Sequence, residues 1–133
     1  MRSVVIGVLL AGFAPSLHVV AQTSAKQQEI EAFLSRPGSW TFLWEQTDQP
    51  VPSSAASKGT MEFFRHDGKL FGRTTHMISG NCEFPVAVRD DGFNFEWCGG
   101  YQTPHSSVSF DRSDTKFPFK NVAIPRKVWF SPN

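Results

Sequence analysis

Two Asp-Gly pairs, Asp67-Gly68 and Asp91-Gly92, each sit between runs of alternating apolar and polar residues. Such a pair is the strongest short-range mark of a two-residue hairpin turn, because Gly supplies the positive φ the turn demands and Asp tolerates it. Each pair therefore sets a register. Around Asp67-Gly68, strands Gly59–Arg65 and Leu70–Met77 place His66 opposite Lys69, Phe64 opposite Phe71, Phe63 opposite Gly72, Glu62 opposite Arg73 and Met61 opposite Thr74. One face then carries Met61, Phe63, Leu70 and Gly72, and the other carries Glu62 and Arg73 beside Phe64 and Phe71. With Asp91 and Gly92 as loop residues, strands Phe84–Arg89 and Phe93–Cys98 pair Val88 with Phe95 and Val86 with Trp97 on one side.

The only two cysteines, Cys82 and Cys98, bracket this second hairpin. Alternation puts Cys82 on the side of the apolar pairs and Cys98 on the other. A disulfide needs converging Cβ atoms, so the register must shift, and Pro85, which cannot donate to a ladder, is the candidate for a bulge. There is no Cys-x-x-Cys spacing, so a structural staple is expected rather than a redox pair.

A staple of this kind belongs to an oxidising compartment. Residues 1–21 read as a secretory signal, with Arg2 at the charged start, an apolar core from Val4 to Ala11, and small residues Val19 and Ala21 before a cut. The mature chain, residues 22–133, is then one domain, periplasmic or secreted. It holds no apolar run of about 18 residues, so no membrane span is expected. Arg2 is the only charged residue of the signal, which leaves 12 basic and 12 acidic side chains. Formal neutrality argues against nucleic acid or an anionic membrane as partner.

The remaining elements are short. Ser24 and Gln27 form a capping box ahead of a helix whose apolar face is Ile30, Phe33 and Leu34, ended by Pro37-Gly38. In Ser39–Glu45, Trp40, Phe42 and Trp44 share one face of a strand. Thr47 to Lys58 is a loop by composition and is expected to form a mobile lip. Ser107–Phe110 is a strand, Asp111 to Asp114 a polar turn, and Arg126–Phe130 a closing strand, with Pro118, Pro125 and Pro132 interrupting the last third. About eight short strands joined mainly by tight turns predict an all-β fold, an eight-stranded up-and-down barrel with a short N-terminal helix, with a β-sandwich as the alternative. The 12 Phe, four Trp and one Tyr beyond the signal would serve chiefly to fill its core.

Gly38-Ser39-Trp40 after a helical turn, with Arg126 in the last strand, resembles the calycin group: lipocalins, avidins and the small periplasmic metalloprotease inhibitors. The resemblance implies that Trp40 plugs the closed end of a barrel and that Arg126 packs across it, both structural. It also implies a binding or inhibitor-like role.

No catalytic, metal or cofactor motif is present. Beyond the signal the histidines are His66, which abuts a turn, His76 and His105. His76, His105 and Asp111 lack the spacing of a metal site. The leading expectation is a non-catalytic binding protein without a cofactor. Its open end would be ringed by the Thr47–Lys58 and Gly99–His105 loops. It would take either a small apolar ligand against Phe63, Phe95 and Trp97 or a protein partner of the cell envelope. The alternative is a small-molecule enzyme using His76 or His105 as proton carrier, with Glu83 or Glu96 in support.

Overall fold

A computed structural model describes residues 23–74, 81–96 and 106–133. Helix α1 (Ala25–Leu34) precedes strands β1 (Trp40–Gln46), β2 (Ser57–His66), β3 (Lys69–Thr74), β4 (Cys82–Arg89), β5 (Gly92–Phe95), β6 (Ser107–Phe110), β7 (Phe119–Asn121) and β8 (Arg126–Pro132). Each strand pairs antiparallel with the next, and β8 pairs with β1, so the sheet is a closed eight-stranded barrel. The expected signal segment lies outside the described residues, as do Trp97, Cys98, His76, His105 and the Gly99–His105 loop.

The first hairpin forms as its sequence dictates. Met61 pairs with Thr74, Phe63 with Gly72, Phe64 with Phe71 and His66 with Lys69. Both turn residues, Asp67 and Gly68, have positive φ, 52° and 76°, as a type I′ turn requires. The second hairpin differs by one residue. Its loop is Asp90-Asp91, because Arg89 pairs with Gly92, Val88 with Phe93 and Val86 with Phe95. The shift moves each partner by two positions, so Val86, Val88 and Phe95 stay on one face. Gly92 has a packing role rather than a turn role: a Cβ there would run into the Val108 carbonyl oxygen and approach Ser109 Cα within 2.9 Å. The small residue lets β6 close onto β5, and Arg89 crosses the same strand to donate to Ser107 Oγ (2.9 Å) and the Val108 carbonyl (3.0 Å).

Alternation along the strands sends aromatic rings inward, where they pack on one another. Phe42 meets Phe130 at 5.1 Å between centroids, Phe63 meets Phe93 at 5.5 Å, and Phe93 meets Phe130 at 5.6 Å and Phe119 at 5.4 Å. All are edge-to-face, the arrangement that opposes positive ring edge to negative ring face. Gly72 makes room for Phe84, whose ring would lie 2.5 Å from a Cβ at that position.

The strand directions put α1, the two tight turns and the 111–118 loop at one end. Ile30 and Leu34 are fully buried there, and Phe33 packs on Trp40, Phe110 and Phe119 at 5.4–5.9 Å. The predicted capping box is present, and its Ser24 hydroxyl also donates to Asp90 Oδ1 (2.7 Å). Glu31 pairs with Arg65, and Glu29 with Arg112 at 2.8 Å. The helix is thereby bonded to three different parts of the rim it covers.

Outside the barrel, Leu43, Trp129 and Phe117 form a second apolar cluster. Leu43 and Trp129 are register partners on β1 and β8, and the 111–118 loop folds Phe117 over them.

Gly92→Ala is expected to lower stability by about 2–3 kcal/mol, since the obstacle is backbone that cannot rotate away. Asn94→Ala, exposed on the same strand, is expected to stay within about 0.5 kcal/mol of the parent. Urea unfolding of the two variants checks both.

Candidate functional site

Among the described residues, the end of the barrel opposite α1 carries the 47–56 and 122–125 connections. The first is tied down rather than free. Ser53 donates its amide and hydroxyl to the Glu45 carboxylate (2.8 and 2.5 Å), Thr47 N–H donates to the Pro125 carbonyl (2.8 Å), and the buried Lys127 amine donates to the Gln49 carbonyl. The expected mobile lip is thus a loop bonded to β1 and to the 122–125 connection. These bonds exist because Glu45 and Lys127 face outward from neighbouring strands, where the loop passes over them.

The two joined loops expose apolar side chains. Val51, Val122 and Ile124 are 59%, 53% and 67% exposed, and they are the exposed large apolar residues among the described part of the chain. Single exposed apolar residues are ordinary. Here three lie on the two loops that the Thr47–Pro125 bond joins at one end of the barrel.

Phe63 and Phe95 face the interior, as alternation requires. They are 7% and 3% exposed, with their rings held against Phe93, Phe130 and Phe84. Trp97, the third residue of that expected lining, lies outside the described residues. Cys82 is buried at the start of β4 opposite Thr74, and no cysteine is free among the described residues. His66 is an exposed turn residue, 3.3 Å from Asp67.

The expected contact between Trp40 and Arg126 is not made. Trp40 is opposite Pro132 and Arg126 is opposite Gln46, which puts them at the two ends of the β1–β8 pair, roughly 20 Å apart at about 3.3 Å per residue. The cation over the Trp40 ring is Arg36, 4.7 Å from its centroid, delivered by the short link after α1. The indole N–H donates to the Leu34 carbonyl (3.1 Å), which satisfies one of the helix's last carbonyls. Sequence reasoning missed Arg36 because helix and strand are joined by a bend whose geometry no periodicity reports.

Among the described residues no group of three His, Cys, Asp or Glu is placed to hold a metal, and no helix is long and apolar enough to cross a membrane. The carboxylates shifted below their ordinary value are Asp111 and Asp114, both in the 111–118 loop. Asp114 is held down by the Lys120 ammonium (2.6 Å) and by the Phe117 amide (2.8 Å), and Asp111 by the Ser113 hydroxyl and amide (2.6 and 3.0 Å). These bonds fix the loop that carries Phe117, so the shifts have a structural cause.

Comparison with protein-family models, curated proteins and solved structures gave no match. The closed up-and-down barrel agrees with calycin-like architecture and with no narrower assignment.

A carboxylate whose folded pKa is depressed stabilises the fold above its unfolded value, and that contribution disappears as pH falls through the lower folded value. For Asp114 the ordinary value is 3.8. Asp114→Asn is therefore expected to be less stable than the parent at neutral pH, with the gap closing below about pH 3.8. Thermal melts from pH 7 downward check this, and a gap that stays constant with pH would exclude the ionic contribution.

Proposed function

We propose that this chain is an exported, non-catalytic binding protein that recognises a protein of the cell envelope through the rim formed by the 47–56 and 122–125 loops. The observation that supports the reading is the ring packing in the described part of the barrel interior. Phe42, Phe63, Phe93, Phe119 and Phe130 pack against one another where a ligand-holding barrel keeps a hollow. Recognition then falls to the outer surface, and Val51, Val122 and Ile124 supply exposed apolar anchors on a rigid scaffold. Signal cleavage after residue 21 and a Cys82–Cys98 bond belong to the same reading, since export supplies the oxidising compartment.

Two measurements test it. Immobilised mature protein is expected to retain an envelope protein that the triple variant Val51→Ser, Val122→Ser, Ile124→Ser does not retain. Equal capture by both would remove the rim from the reading. Tryptophan fluorescence is expected to stay unchanged across a panel of apolar small molecules, and a saturable quench or shift would instead favour a ligand inside the barrel.

The staple makes a separate prediction. A bond from Cys82 to Cys98 closes a loop of about 15 residues, worth on the order of 3 kcal/mol in chain entropy. Replacing both cysteines by serine is expected to lower the melting temperature by several degrees while leaving rim-dependent capture intact. Two titratable thiols in the exported protein would overturn the pairing.

A further inference from the structure

A second feature lies near the α1 end, away from the rim. Between the link after α1 and the outer face of β2 and β3 is a cleft of about 670 Å³ lined by Arg36, Gly38, Ser39, Glu62, Phe63, Phe64 and Arg73. Both arginines are stacked, Arg36 over Trp40 at 4.7 Å and Arg73 over Phe64 at 4.4 Å. Stacking fixes the plane of a guanidinium and leaves its N–H edge to donate within that plane. Arg73 spends only Nε, on Glu83 at 3.1 Å, and makes no other hydrogen bond among the described residues. Arg36 makes one long bond, Nη1 to the Pro37 carbonyl at 3.4 Å, while its Nη2 is buried without a partner among the described residues. A buried donor left unpaired forfeits the hydrogen bonds it would make in water. Glu62 lines the cleft, yet no ion pair joins it to either arginine among the described residues.

We propose that this cleft binds a carboxylate, with the Arg36 and Arg73 guanidinium edges converging on its two oxygens and the body of the ligand resting on Phe64. Guanidinium forks match a planar carboxylate bidentately. Two arginines face Glu62 in the lining and Glu83 already engages Arg73 Nε, so the cleft suits a monoanion at most. A dianionic phosphate would stay under-neutralised beside Glu62. Phe64 and the neighbouring Phe71, 6.0 Å apart between centroids, give the wall an aromatic surface for an aryl or alkyl body. The site is independent of the rim, so either reading can fail alone.

Titration of the full exported chain with N-acetylphenylalanine, N-acetylphenylalaninamide and phenyl phosphate, followed by NMR and calorimetry, tests the proposal. The carboxylate is expected to bind saturably, its uncharged amide at least about tenfold more weakly, and the phosphate no better than the carboxylate. Arg73→Gln is expected to lose at least about tenfold in carboxylate affinity, with Arg73→Lys falling between because it keeps charge but loses the fork. Glu62→Gln is expected to bind the carboxylate more tightly and to gain more for phosphate. Because Arg36 also covers Trp40, Arg36→Gln is read only alongside its melting curve, and Arg73→Gln carries the test if that variant unfolds. Amide binding equal to acid binding, unchanged affinity in Arg73→Gln, or no saturation of the parent by about 10 mM carboxylate would each overturn the proposal.

Discussion

Ring-on-ring packing inside the barrel is the interaction on which the other features depend. Phe93 touches Phe63, Phe119 and Phe130, so three separate strands meet on one side chain at the barrel axis. Each such ring contributes about 1.5–3 kcal/mol on burial, plus an orientation term that a mixed aliphatic core lacks. The rings fit only where the backbone yields. Gly72 leaves space for Phe84, and Gly92 lets β6 approach β5 closely enough to close the wall. Closure in turn removes the free sheet edges along which a small aromatic-rich β-protein would aggregate.

The helix completes that core rather than decorating it. Its ion pairs to Arg65 and Arg112 are partly exposed, and such pairs are worth little individually. Ile30, Phe33 and Leu34 provide the holding energy, and the polar bonds decide which way the helix lies across the opening. Arg36 and Trp40 belong to the same closure: the link that ends the helix lays its guanidinium on the indole, while the indole N–H satisfies the helix end. The cation over Trp40 therefore comes from the link before β1 and not from β8.

The two ends consequently have different characters. The helix end is tightly turned, apolar inside and rich in arginine outside. The opposite end carries the 47–56 and 122–125 connections and the exposed Val51, Val122 and Ile124. Between them the outer wall of β1 and β8 is sheltered by Phe117 and by the loop that Lys127 holds. Rings packed against one another in this manner leave little freedom to rearrange without loss of contact.

Local chemistry was enough to specify several elements outright. Asp67-Gly68 set the β2–β3 register residue for residue, since a two-residue turn with both φ positive permits one pairing. Ser24 with Gln27 set the start of α1, and the alternation Trp40, Phe42, Trp44 set the inward face of β1. The spacing of eight short strands favoured a barrel over a sandwich, and the β8–β1 pairing closes it. What tertiary structure alone decided are the matters in which distant segments compete. The second turn moved to Asp90-Asp91 because Gly92 was needed beneath Val108, a demand made by a strand some fifteen residues away. The outer cluster of Leu43, Phe117 and Trp129 was invisible because it forms on a face that alternation assigns to solvent, and only the path of the 111–118 loop covers it. Arg36 displaced Arg126 over Trp40, and Arg36 and Arg73 came to line one cleft, for the same reason. Periodicity reports which way a side chain points from its own strand, whereas the neighbour it meets is set by how far the barrel carries the chain around.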